Sequence, residues 1–309
     1  MIDCAHPHAV TVIEAPAEGL AEAALDALLA PLQPLREQFT AITGIGLDSE
    51  VPAGAPPGRW RLDASGVSYL VAGQPDGRRV LFIHGSPGRA EEWGTFLGDV
   101  PPAQYRLAVD RPGFGESPLV AAPLALAAQA AAVAPLLGPG TVLVGYSYGG
   151  PVALRLAVDW PDQVAGVVLV GSAADPAREV THPLQALAAT NFIAQILPTE
   201  LAHSNAELMA LKPELELLAG DLGRINASVT IVQGLRDTLV PPENASFIAT
   251  HIDPAVPVRV VLIEDGDHFL PWTHPEILEA AIGCALADAG DQGPPSELPS
   301  GPASEPEER

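Results

Sequence analysis

The 309-residue chain is 48% hydrophobic and only 17% charged, the composition of a globular protein with a sizeable buried core and not of a disordered one. Its formal net charge of −23 at pH 7 argues against nucleic acid or an anionic membrane as partner, because either would be repelled. Cys4 and Cys284 are the two cysteines, with neither metal-ligand spacing nor a repeated framework, so no disulfide scaffold and no zinc site is expected.

Asp3, Glu14, Glu18, Glu22 and Asp26 interrupt any apolar leader at the N-terminus, which makes a cytoplasmic location the default expectation. Residues 1–57 read as an N-terminal extension, partly helical at Leu20–Leu29, that ends in the Gly- and Pro-rich linker Val51–Gly58. Trp60–Asp63 and Val67–Val71 then flank Ser65-Gly66, the pattern of an antiparallel hairpin. Short apolar runs follow at Val80–Ile83, Leu107–Val109, Val142–Val144, Val167–Val170, Val229–Val232 and Val258–Ile263, each with the length of a strand buried on both faces. Ala- and Leu-rich stretches of helical period, Leu124–Leu137, Val152–Val158 and Ile277–Leu286, lie between or after them. The alternation predicts an α/β fold with a mostly parallel sheet of about eight strands and helices on both faces.

Pro118–Leu154 carries no charge and has the length to span a bilayer. Pro123, Pro135 and Pro139 break it, so it reads as a buried helix followed by a buried strand. The tail, residues 287–309, is rich in Pro, Ser, Gly and Glu and is expected to be disordered.

The chemistry concentrates at three turns. Gly145-Tyr146-Ser147-Tyr148-Gly149-Gly150 follows an apolar strand and precedes a helix, the context that a G-x-S-x-G nucleophile requires. A serine hydroxyl needs a base to take its proton. His268 lies just after the Val258–Ile263 run and is the candidate base. His6, His8, His182, His203, His251 and His274 lie before the core, in the insertion or at helix ends. Asp237, just past Val229–Val232, is the candidate orienting acid, with Asp253, Asp265 and Asp267 as neighbouring alternatives. An oxyanion needs donors, and the N–H groups of Tyr148 and of Ser86, in the turn His84-Gly85-Ser86-Pro87-Gly88, are the candidates.

With these segments in the order Ser, Asp, His, and with Asp110-Arg111-Pro112-Gly113-Phe114-Gly115-Glu116-Ser117 matching a D-x-x-G-x-G-x-S loop, residues 58–286 resemble the α/β-hydrolase family. The resemblance implies a lid insertion at about 174–222, where the sequence shows helical patches at Leu184–Leu197 and Ala206–Leu211 interrupted by Pro198 and Pro213, and a site floor shaped by Asp110 and the loop glycines. Relatives that are dehalogenases or epoxide hydrolases carry Asp where Ser147 stands, so a serine implies an acyl-enzyme. Trp93, Phe269 and Trp272 from the core are candidate pocket residues that read equally as packing, and Phe192 is the one aromatic candidate from the lid. The expected activity is hydrolysis of a small or medium-sized carboxylic ester without metal or cofactor. Amide or carbon–carbon cleavage, perhydrolysis and a non-catalytic binding role stand as alternatives, and nothing in the sequence marks an oligomeric state.

Overall fold

Alternation of side chains along apolar strands builds the core. In the run Val80–Ile83, Val80 and Phe82 enter one buried cluster while Leu81 and Ile83 enter the other, as the two-residue period of a strand requires. Val168 and Val170 divide from Val167 and Leu169 in the same way. Both faces therefore need cover, and helices supply it. The computed structural model describes residues 2, 4–6, 8–14, 58–62, 66–118, 123–179 and 199–290.

The strands are β1 (Val10–Ile13), β2 (Gly58–Arg61), β3 (Ser68–Gly73), β4 (Arg78–Ile83), β5 (Gln104–Val109), β6 (Thr141–Tyr146), β7 (Val164–Val170), β8 (Ser228–Gly234) and β9 (Val258–Ile263). They form one sheet in the order β1-β9-β8-β7-β6-β4-β5-β3-β2. Only the β2/β3 and β3/β5 pairings are antiparallel. The helices are α1 (Gly94–Gly98), α2 (Leu126–Val133), α3 (Gly149–Asp159), α4 (Thr199–Ala219), α5 (Glu243–His251), α6 (Leu270–Thr273) and α7 (Pro275–Asp288). Buried residues of α2, α3, α4 and α5 pack on one face of the sheet, and those of α1 and α7 on the other. Among the described residues no helix is long and apolar enough to cross a membrane.

Among the described residues the sheet has nine strands where about eight are expected. The additional one is β1, whose run Val-Thr-Val-Ile pairs in parallel with β9 from within the stretch assigned to an N-terminal extension. Its four consecutive β-branched residues are the local signal. The expected helix at Leu20–Leu29 lies outside the described residues.

Of the expected lid, residues 180–198 lie outside the described residues, and the helix expected at Leu184–Leu197 falls entirely there. The next part is α4, which runs unbroken through Pro213, although the sequence predicts an interruption there. A proline inside a helix costs about 3 kcal/mol. Leu211, Leu215 and Leu218, fully buried on one stripe of α4, each contribute about 2 kcal/mol, and together they outweigh that cost.

The two cysteines correct another expectation. Cys4 and Cys284 form a disulfide across 280 residues of sequence, tying the N-terminal segment to α7. Arg259 Nη2 donates to Cys4 O at 2.8 Å beside it. Spacing rules look for clustered cysteines, and a single bridge between distant segments leaves no such pattern. Disulfides persist in oxidising surroundings, which does not fit the default cytoplasmic expectation. Protein unfolded in guanidinium without reductant should expose no titratable thiol, and two after reduction; two thiols before reduction would rule the bridge out.

Candidate active site

β6 ends at Tyr146 and α3 begins at Gly149, so Ser147 and Tyr148 alone turn the chain from strand to helix. Ser147 has φ 52°, a left-handed conformation that side chains other than glycine seldom adopt and that costs on the order of 1–3 kcal/mol. Surrounding contacts hold it there. Ser147 N–H donates to Val170 O at 3.0 Å, and its carbonyl accepts from Gly150 N–H at 3.1 Å. The glycines of the motif are sterically required: a Cβ on Gly149 would lie 2.6 Å from His84 O, and one on Gly150 would collide with Ser172.

Asp237 and His268 reach this serine from the ends of β8 and β9. The Asp237 carboxylate accepts from Leu239 N–H at 2.9 Å and Val240 N–H at 2.8 Å on Oδ1. On Oδ2 it meets Gln233 Nε2 at 3.3 Å and His268 Nδ1 at 2.7 Å. Because a carboxylate oxygen only accepts, Nδ1 carries the proton, which leaves the Nε2 lone pair facing outward. Nε2 lies 3.1 Å from Ser147 Oγ. The three residues singled out from sequence thus form one hydrogen-bonded chain. Among the described residues, Asp253, Asp265 and Asp267 form no hydrogen bond or ion pair with His268, and the chain is closed behind by Gly171, where a Cβ would lie 3.2 Å from Asp237 Oδ2 and 3.3 Å from His268 Nδ1.

The turn after β4 comes close to the serine: a Cβ on Gly85 would lie 3.1 Å from Ser147 Cβ. Among the described residues, neither Ser86 N–H nor Tyr148 N–H donates to a protein acceptor. His84 stands behind the turn, with Nδ1 2.8 Å from Gly85 O and Nε2 accepting from Arg111 N–H at 2.9 Å. Burial first, and then the Arg111 charge, push the His84 pKa well below the usual histidine value, so the ring is neutral and keeps this one tautomer. Ser86 Oγ is 2.8 Å from Ser204 Oγ on α4.

The candidate pocket residues divide. Phe269 and Trp272 are half-buried, and the Phe269 ring centroid is 5.9 Å from that of His268. Trp93 is 2% exposed and packs among Phe82, Phe96 and Tyr146, one ring removed from His268. Phe192 lies outside the described residues. Sequence reasoning passed over Tyr146, the variable position before Ser147, whose ring centroid is 5.1 Å from His268. Burial, and secondarily the charges of Glu92, Asp237 and Asp267, raise its pKa well above the ordinary tyrosine value.

The match to a family model described as the alpha/beta hydrolase family covers residues 80–281. The chain belongs to the alpha/beta hydrolase family. As an α/β hydrolase it is similar to a pimeloyl-(acyl-carrier protein) methyl ester esterase of Neisseria meningitidis serogroup C, with 27% identity over 66% of this chain and 91% of the relative. A shorter match, 42% identical, covers 32% of this chain and 37% of the lipase LipV of Mycobacterium tuberculosis. Among solved structures, a membrane phospholipase A described as a bacterial virulence factor shares the fold at a TM-score of 0.60 and 22% identity, over 87% of this chain and 96% of that one. The family and its named esterase and lipase members mark this α/β hydrolase as an enzyme.

A further carboxyl sits beside the site in the short 3-10 turn Ala90–Trp93. Burial drives the pKa of Glu92 up from 4.5 to about 8, against the opposing pull of Arg89. The folded protein therefore keeps a proton that the unfolded chain releases, and stability falls as pH rises from about 4.5 to about 8. The slope for one such proton is at most about 1.4 kcal/mol per pH unit. Urea unfolding of Glu92→Gln at pH 5, 6, 7 and 8 should show that slope reduced relative to wild type; parallel pH profiles would contradict it.

Proposed function

We propose that this enzyme hydrolyses carboxylic esters of small or medium size through an acyl-enzyme on Ser147. The observation that carries the reading is the continuous chain from Asp237 Oδ2 through His268 to Ser147 Oγ, at 2.7 Å and 3.1 Å. His268 Nε2 takes the hydroxyl proton as Oγ attacks the ester carbonyl. Asp237 holds the ring in the tautomer that permits this and stabilises the imidazolium that forms. Ser86 N–H and Tyr148 N–H receive the developing oxyanion. The imidazolium then gives its proton to the leaving alkoxide, and His268 activates a water that hydrolyses the acyl-enzyme. Two relatives are named as a methyl ester esterase and a lipase, which supports an ester, while another is named as a putative carbamate hydrolase; the mechanism requires no metal or cofactor.

The fixed geometry explains why such a serine would react. The hydroxyl, its base and the base's partner are held before substrate arrives, so little reorganisation remains for the transition state. Ser147→Ala should lower kcat on a p-nitrophenyl ester by a factor of about a million if the three residues act as a unit. A fluorophosphonate should label the wild type stoichiometrically and the variant not at all. Activity retained in Ser147→Ala would sink the mechanism. A panel of esters, amides and carbon–carbon substrates, with esters turned over fastest, tests the bond type.

A further inference from the structure

Arg111 is fully buried, and all five of its side-chain N–H groups are engaged. Nε donates to His84 O at 3.0 Å. Nη2 donates to Gly85 O at 2.7 Å and Glu207 Oε1 at 2.8 Å. Nη1 donates to Gln129 Oε1 at 2.7 Å and Glu207 Oε2 at 2.9 Å. Its guanidinium also lies 4.6 Å from the centroid of the Tyr148 ring. Gln129 Nε2 ties the same groups together, with Tyr148 OH at 3.2 Å and Glu207 Oε2 at 3.1 Å.

The position of one of these bonds has a consequence for the reacting centre. A trans peptide is planar, and its C=O and N–H point in opposite directions. Gly85 O and Ser86 N–H belong to one peptide, so the donors that fix the carbonyl, Arg111 Nη2 and His84 Nδ1, also fix where the N–H points. A charged donor on the oxygen polarises the peptide and strengthens its N–H as a donor. Tyr148, whose N–H is the second candidate donor, has its ring against the same guanidinium. The charge that balances Arg111 comes from Glu207 on α4, both side chains having no solvent exposure.

We propose that Arg111 is a positioning residue that aims the Ser86 N–H at the oxyanion, and that Glu207 holds Arg111 in place, making α4 a working part of the site. This inference rests on the reading of Ser86 N–H as an oxyanion donor. The competing account is that the ion pair only fastens α4 to the sheet.

A double substitution separates the two accounts. Removing one partner leaves a buried unpaired charge, whereas replacing both with apolar groups of similar volume is often close to neutral. Arg111→Met combined with Glu207→Met should therefore unfold cooperatively near the wild-type temperature. Its kcat on a p-nitrophenyl ester should fall ~10- to 100-fold, short of the loss for a deleted donor, with KM within about threefold. Inhibition by an alkyl trifluoromethyl ketone, whose adduct on Ser147 bears the same oxyanion, should weaken by a similar factor.

Arg111→Lys is the second variant. It keeps a positive charge opposite Glu207, but lacks the planar fork that serves Glu207 and both carbonyls at once. It should lose at least about fivefold in kcat while remaining folded, again at nearly constant KM. A folded variant of either kind with wild-type kcat and ketone affinity would overturn the proposal. A wild-type enzyme that the ketone does not inhibit would instead remove the acyl-enzyme reading itself, and this inference with it.

Discussion

One residue held in an unfavourable conformation organises this structure. Ser147 keeps a positive φ because β7 holds its N–H, α3 begins two residues later, and the turn after β4 comes so close that Gly149 has no room for a side chain. Only a parallel sheet with neighbouring strands ending at one level delivers these contacts together. β4, β6, β7, β8 and β9 are consecutive neighbours in that sheet apart from their order in sequence. Their C-terminal ends bring His84, Ser147, Gly171, Asp237 and His268 to one place. The continuous apolar core on both faces secures that edge, so the energy stored in the turn is covered by burial elsewhere.

Electrostatic order around the turn follows from the same close packing. His84 is kept neutral by burial and can therefore accept from Arg111 N–H while donating to Gly85 O. Arg111 is buried and needs a counter-charge, which Glu207 supplies from α4. Burial also raises the pKa of Tyr148, with Glu207 the next contributor, so its hydroxyl stays protonated and serves as a hydrogen-bonding anchor beside Gln129. In a low-dielectric interior each of these contacts is strong when complete and costly when broken. For that reason the buried Arg111–Glu207 pair couples α4 to the sheet edge that it covers.

Much of this was legible in the sequence, for a physical reason. Strands buried on both faces leave unbroken apolar runs, and the turns at their ends carry the polar residues, so Ser147, Asp237 and His268 stand out against their flanks. The order of those turns along the chain is itself a mark of the fold. The features that were missed depend on long-range partners. Glu207 reads as one more acid on a helix, and its burial is decided by Arg111, 96 residues away. Pro213 reads as a helix breaker because the three leucines that hold α4 together act through the core. β1 carries a local signal in its four β-branched residues, but at that length its place in the sheet depends on β9 beside it. The cysteine pair carries no spacing signature across 280 residues.

The central claim is that an acyl group passes through a covalent bond to Ser147 Oγ, and rapid-quench mass spectrometry during turnover of a p-nitrophenyl ester tests it most directly. The account predicts a transient mass increase equal to the acyl group, located on the peptide that contains Ser147 and formed at the rate of the p-nitrophenol burst. Sustained turnover with that peptide unmodified, or with the acyl group on another residue, would contradict it.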